Sequence, residues 1–152
     1  MSTAQTQQLL DHIAELVGLP ALELDDEGFC SLLFDDRIAV NISFAADTEL
    51  LTLYCNLGEI AADQAERVYP LLLEANVLWA GTGGATLGVT PADRCVILAF
   101  QDRIKDIDPQ RFQTLLEGIV DMSAFWSERI DQSAQAEQAA PAEEIAPPNL
   151  RV

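Results

Sequence analysis

Residues 68–100, VYPLLLEANVLWAGTGGATLGVTPADRCVILAF, hold the change of hydrophobic period that decides the fold. Val68, Leu71, Leu72 and Ala75 recur at helical spacing and lead into Leu78 and Trp79. Asp63 and Glu66 form a cap-like pair upstream. Pro70 interrupts this run: it either kinks a helix begun near Asp63 or stands close to the helix start, and the longer, kinked helix is preferred. Asn76 suits a helix C-terminus, Gly81, Gly83 and Gly84 supply a reversal, and two short strands follow at 85–89 and 95–101. Thr90, Pro91, Ala92 and Asp93 make the turn between them.

A helix end followed at once by glycines invites a phosphate-binding reading, and the order of elements rejects it. A Walker A loop follows a strand, precedes a helix and carries GxxxxGK[ST]; here the helix comes first, and no lysine lies between Glu23 and Arg103. Gly81, Gly83, Gly84 and Gly88 do not match GxGxxG, and no helix N-terminus follows to face an anion. The glycines are therefore assigned to backbone geometry, with positive φ in the reversal and close approach of another backbone at Gly88.

Upstream, Ser2 and Gln5 have the form of a capping box, and Leu9, Ile13, Leu16 and Val17 recur at helical spacing. This predicts a helix over 3–17, stopped by Gly18 and Pro20. His12, the sole histidine, has no second one with which to build a metal set or a catalytic pair, and is read as a surface residue. Three apolar runs then alternate with acidic turns. The first is 29–34. In the second, Ile38, Val40, Ile42 and Phe44 alternate with Ala39, Asn41 and Ser43, the period of a half-buried strand. The third, 50–57, sets Leu51, Leu53, Cys55 and Leu57 on one face. Short turns join all three, so they form an antiparallel meander. Asp25, Asp26 and Glu27, with Asp35 and Asp36, lack the alternating ligands and closing glutamate of a calcium loop, and nothing supports a paired-carboxylate site. Aspartate is a turn former, and solvated turns account for them.

Downstream, Asp108 and Pro109 are an N-cap followed by proline at the first helical position. Phe112, Leu115, Leu116, Ile119, Met122 or Ser123, Trp126 and Ile130 then mark one face of a long last helix. Residues 132–152 are rich in Ala, Gln, Glu and Pro and are expected to be disordered, which leaves one α+β domain over 1–131. That tail carries three Glu and one Arg, so the domain keeps all but two of the 17 net negative charges. Such a surface repels nucleic acid and anionic membranes and favours a basic or apolar protein partner. No apolar run is long enough to span a bilayer, and the N-terminus lacks the regions of a signal peptide, so a cytoplasmic location is expected. Cys30, Cys55 and Cys95 show no CxxC spacing and read as buried, reduced thiols.

The order helix, three strands, helix, two strands, helix in a small and very acidic chain resembles the class I chaperones of bacterial type III secretion, the family of the enteropathogenic Tir chaperone. Residues 71–89, LLLEANVLWAGTGGATLGV, carry the most specific part: the leucine-rich helix end, its Asn, and the Gly-Gly-Ala-Thr-Leu segment. Phe29, Asp35, Asp36, 38–42 and 96–100 fit less distinctively, residues 132–152 lie outside the likeness, and Pro70 departs from the family pattern.

The resemblance implies a homodimer built on a twisted, antiparallel five-stranded sheet flanked by helices. It implies no enzymatic activity, no cofactor and no metal. Such a protein works in the bacterial cytoplasm, where it binds the N-terminal chaperone-binding segment of a secreted effector in extended form, with a separate secretion ATPase supplying energy. Dimer contact would fall on Leu72, Leu78, Trp79, Leu87 and Val89. Effector contact would fall on Leu9, Ile13, Leu16, Phe29, Leu33, Ile38 and Val40, although a helical apolar stripe such as Leu9, Ile13 and Leu16 has equally the spacing of a face packed on its own domain. Two other classes stay open: a small acidic regulatory or adaptor domain of the same fold that binds a folded partner, and a carboxylate enzyme. The second has little to build on, with no histidine pair and no lysine outside Lys105.

Overall fold

The period-2 runs become the strands of a single sheet, and the helical stripes cover one of its faces. A computed structural model describes residues 2–135. In chain order these form α1 (Ser2–Val17), β1 (Phe29–Phe34), β2 (Ile38–Ala45), β3 (Leu50–Glu59), α2 (Ala65–Ala75), β4 (Thr86–Val89), β5 (Cys95–Arg103) and α3 (Pro109–Gln135). The strands lie in the order β1-β2-β3-β5-β4, each neighbouring pair antiparallel. After β3, α2 carries the chain past the adjacent position, so β4 forms an edge and β5 returns between β4 and β3.

Register sorts the side chains. Cys30 opposes Ile42, Leu32 opposes Val40, Phe44 opposes Leu51, and Leu98 lies between Cys55 and Leu87. All of these are buried. The intervening rows, such as Ser31 with Asn41, Ser43 with Thr52 and Thr86 with Ala99, are largely polar or small, with Phe29, Leu33, Tyr54 and Ile97 among them, and form a more open face. The helices sit on the apolar face: α3 lies over β2, β3 and β5, and α1 and α2 flank it. Phe112, Leu116, Ile119, Ser123, Trp126 and Ile130 of α3 are buried, the stripe expected from their spacing.

Local chemistry explains the ends. The Arg111 N–H donates to Asp108 Oδ1 at 2.7 Å, so Asp108 caps α3, and the Arg111 guanidinium pairs with Asp102 of β5 at 2.9 Å. β5 runs to Arg103 rather than 101 because Arg103 and Asp102 continue to pair with Leu50 and Leu51. β4 starts at Thr86 rather than Ala85 because both backbone groups of Ala85 are engaged by Thr82. Asp35 and Asp36 both adopt positive φ, at 52°, in the β1–β2 turn, a conformation aspartate tolerates better than most side chains.

Several expectations are corrected. The Gln5 amide donates to the Ile104 carbonyl at 2.9 Å, tying α1 to the segment between β5 and α3, while the Ser2 side chain of the expected capping box lies outside the described residues. The choice at Pro70 goes to the longer helix. A 3-10 turn, Ala62–Gln64, leads into α2, which runs through Pro70. The Glu66 carbonyl that Pro70 cannot bond belongs to an exposed residue, so water is able to satisfy it. α3 continues to Gln135, so residues 132–135 are helical and not tail, and the Arg67 guanidinium donates to the Ser133 carbonyl at 3.2 Å. The rest of the expected disordered tail, 136–152, lies outside the described residues. Positive φ is found at Gly83 and Gly84 but not at Gly81, whose lack of a side chain has another cause: a Cβ there would lie 2.8 Å from the Ala75 Cα. Two residues that no glycine rule anticipates, Leu78 (51°) and Trp79 (56°), also take positive φ.

Candidate interaction surfaces

Burial separates the residues singled out by pattern into two kinds. Leu9, Ile13 and Val40 lie in the core of the chain, as do Leu72 and Leu87. In the single chain these side chains fill the space between helices and sheet, so the expected effector contact of the first three and dimer contact of the last two finds little exposed surface, although Leu9 and Ile13 each reach the wall of a groove. Leu16 (51% exposed), Leu33 (63%), Leu78 (84%) and Trp79 (56%) are outward. Phe29, Ile38 and Val89 are half-buried.

The outward residues form two regions. One lies at the end of α2, where Leu73 (69% exposed) and Val77 join Leu78 and Trp79. A groove of about 380 Å³ between α2 and α3 adjoins this end, lined by Leu71, Ala75, Gly81, Met122, Phe125 and Trp126. Leu73 and Val77 were missed because they fall between the rows of the Val68, Leu72 and Ala75 stripe. A large apolar residue standing off such a stripe was the available signal. The turn itself is shaped by short hydrogen bonds: Trp79 N–H to the Asn76 carbonyl at 3.1 Å, Gly83 N–H to the Trp79 carbonyl at 3.2 Å, and Gly81 N–H to the Ala75 carbonyl at 3.0 Å. Residues held at positive φ without being glycine cost on the order of 1–3 kcal/mol each and persist where the surroundings over-determine them. Here the strain turns two large apolar side chains toward solvent.

The other region lies at β1 and the end of α1. Ile13, Leu16, Phe34, Leu116 and Val120 line a groove of about 490 Å³, with Glu117 and Asp121 among the residues around it. β1 is an edge strand whose register is set by the Phe44 N–H donating to the Gly28 carbonyl at 2.8 Å, which turns Phe29, Ser31 and Leu33 outward. Asp25 occupies both backbone groups of Phe29: its carboxylate accepts the Phe29 N–H at 2.9 Å and its own N–H reaches the Phe29 carbonyl at 2.8 Å. The backbone groups of Ser31 and Leu33 have no such partner among the described residues. Asp25, Asp26 and Glu27 at one end of β1 and Asp35 and Asp36 at the other give this edge a negative frame.

Two of the three thiols, Cys30 and Cys55, are poorly suited to nucleophilic chemistry. Burial pushes the Cys30 thiol up, with the Asp25 charge adding to it, and burial pushes up the Cys55 thiol, offset in part by the Ser123 hydroxyl beside it. A raised thiol pKa leaves less thiolate, the reactive form. Among the described residues no helix is long and apolar enough to cross a membrane.

Against known families, residues 8–127 match the model of the Tir chaperone protein (CesT) family. The chain belongs to this family. The transcriptional anti-antiactivator ExsC of Pseudomonas aeruginosa is 28% identical over 138 residues, which span 91% of this chain and 94% of that protein. The Tir chaperone of Escherichia coli O111:H- is 25% identical over 118 residues, 78% of this chain and 74% of that one. Among solved structures, the ExsC-ExsE complex aligns with a TM-score of 0.71 at 28% identity, over 83% of this chain and 93% of the matched one. The HopA1-SchA chaperone-effector complex also aligns at 0.71, with 21% identity over 84% and 97% of the two chains, a likeness of fold.

Proposed function

We propose that this chain is a dimeric, non-enzymatic type III secretion chaperone of the bacterial cytoplasm. It holds the N-terminal chaperone-binding segment of a secreted effector in extended form and keeps it soluble. Membership of the Tir chaperone family supports this reading, as do similar structures that are chaperone-effector complexes. The observation that carries it is the state of β1: an edge strand with Ser31 and Leu33 unpaired on the outside, an exposed Leu33 and an apolar groove beside its end. An extended peptide gains main-chain hydrogen bonds from such an edge and specificity from neighbouring pockets. The second region, around Leu78 and Trp79, is assigned to contact with another copy of the chain.

The test is co-expression with secreted proteins encoded beside this gene, followed by measurement of the mass of the soluble complex and by protease mapping of the protected segment. Protection of an N-terminal extended segment supports the reading. Binding of only a folded target with no protected terminus overturns it.

A second reading has a specific support of its own. One relative, matching over 91% of this chain and 94% of its own, is an anti-antiactivator, and its complex with ExsE is among the similar structures. Under this reading the protein also binds a regulatory protein, and a binding assay would find a folded regulator competing with the effector segment for one surface.

A further inference from the structure

The two edge strands of the sheet are finished differently. Antiparallel strands turn successive residues' backbone groups alternately toward and away from their neighbour. The Thr90 N–H reaches the Cys95 carbonyl at 2.9 Å on the β5 side, so Gly88 and Thr86 also face β5, and Ala85, Leu87 and Val89 face outward. The outward groups of Ala85 and Leu87 are occupied, while those of Val89 have no partner among the described residues. The Leu87 N–H donates to Asn76 Oδ1 at 2.9 Å, and Asn76 Nδ2 donates back to the Leu87 carbonyl at 2.8 Å. The Ala85 N–H donates to the Thr82 carbonyl at 3.2 Å, and the Thr82 hydroxyl donates to the Ala85 carbonyl at 2.5 Å.

A carboxamide offers an acceptor and two donors in one plane, so a single Asn is able to bond both groups of one strand residue as a neighbouring strand would. Asn76 is placed to do so because it is the C-cap of α2, with φ of −75° and ψ of −15°, which ends the helix against β4. Its own backbone carbonyl accepts the Trp79 N–H at 3.1 Å, so the residue that grips β4 also anchors the strained Leu78 and Trp79 turn.

We propose that Asn76 is an edge lock: by bonding both outward groups of Leu87 it leaves Val89 as the single open position of β4, too short a run for an added strand, and so closes β4 to strand addition. Contact across this face is then made by side chains such as Leu78 and Trp79 and not by continuing the sheet. Unpaired edges are templates for pairing with other chains, and natural sheets block them in defined ways. With β4 closed, strand addition is confined to β1, at Ser31 and Leu33. The lock does not depend on which partner the protein binds.

The experiment uses the full chain with Asn76→Ala and Asn76→Asp. Amide hydrogen exchange followed by NMR reads the lock directly. In Asn76→Ala the Leu87 amide should exchange at least about tenfold faster, while the Thr86 and Gly88 amides, bonded to β5, keep their rates. Light scattering should show Asn76→Ala associating beyond the wild-type assembly, and adding Thr86→Lys, a charge on the exposed edge, should restore it, with Thr86→Lys alone as control. Asn76→Asp keeps the acceptor for the Leu87 N–H and loses the donor to its carbonyl. Its thermal stability gap to wild type, measured in the same buffer, should narrow as pH falls through about 4, where the protonated carboxyl regains a donor. Unchanged Leu87 exchange in Asn76→Ala overturns the lock. Association that Thr86→Lys does not reverse overturns the edge closure. Should Asn76→Ala fail to fold, Asn76→Asp carries the test, and a gap that does not change with pH overturns the proposal.

Discussion

The indole N–H of Trp126 donates to the carbonyl of Gly81 at 2.9 Å, fastening α3 to the reversal that follows α2. Trp126→Phe keeps a ring in the core and removes the donor, leaving the Gly81 carbonyl unpaired at a cost of about 1–3 kcal/mol. Gly81→Ala places a methyl 2.8 Å from the Ala75 Cα, and such overpacking costs about 1–3 kcal/mol. Thermal unfolding should show both variants folded with lowered midpoints. A midpoint unchanged in Gly81→Ala would mean that α2 yields freely at Ala75.

Leu78 and Trp79 are exposed in the single chain, so a charge there costs the protomer little. Between two copies it would be buried without a partner, a loss of several kcal/mol. Leu78→Asp and Trp79→Asp should therefore give monomers by light scattering while keeping the far-ultraviolet spectrum of the parent. Leu78→Gly separates strain from contact. It removes the cost of a positive φ, about 1 kcal/mol or more, and so should raise protomer stability while weakening association. If both aspartate variants remain dimeric, the copies meet elsewhere.

Period alone located the elements closely: 29–34 is β1 to the residue, and Asp108 caps α3 as its type and place suggest. The candidate surfaces were less legible, for a physical reason. Alternation at Val40 or helical spacing at Ile13 says that a face is apolar, and it reads the same whether this chain or another one covers that face. Val40 and Ile13 are covered from within, by α3 and its neighbours, and Leu33 is not. The role of Asn76 was out of reach, because its partner Leu87 lies eleven residues along the chain and the bond exists only once α2 ends against β4. Positive φ at Leu78 and Trp79 runs against residue preference and arises from the hydrogen bonds that close the turn.

The open edge of β1 allows a paired test by proline. The Ser31 N–H faces outward, so Ser31→Pro removes a donor for an added strand and spares the ladder to β2. The neighbouring N–H of Leu32 faces Val40, so Leu32→Pro breaks the ladder and should destabilise the fold. Isothermal titration with the effector segment should show affinity reduced about tenfold or more in Ser31→Pro, the worth of one lost hydrogen bond in a dry interface. Equal affinity in Ser31→Pro and wild type would place the segment away from β1.

The thiols link burial to alkaline stability. Burial raises the Cys55 thiol, and burial followed by the Asp25 charge raises Cys30, so the folded state holds both protons more tightly than the unfolded chain does. This contribution is fully present below the ordinary thiol pKa of about 8.5 and is lost as pH rises toward the higher folded values, because the unfolded chain ionises first. Denaturant unfolding between pH 7 and 10 should show stability falling on the alkaline side, with a shallower fall in Cys55→Ala. In the native protein a thiol reagent at pH 8 should modify half-buried Cys95 first, with Cys30 and Cys55 reacting only on unfolding. Rapid native modification of Cys55 would show that the space between β3 and α3 opens far more readily than its packing implies.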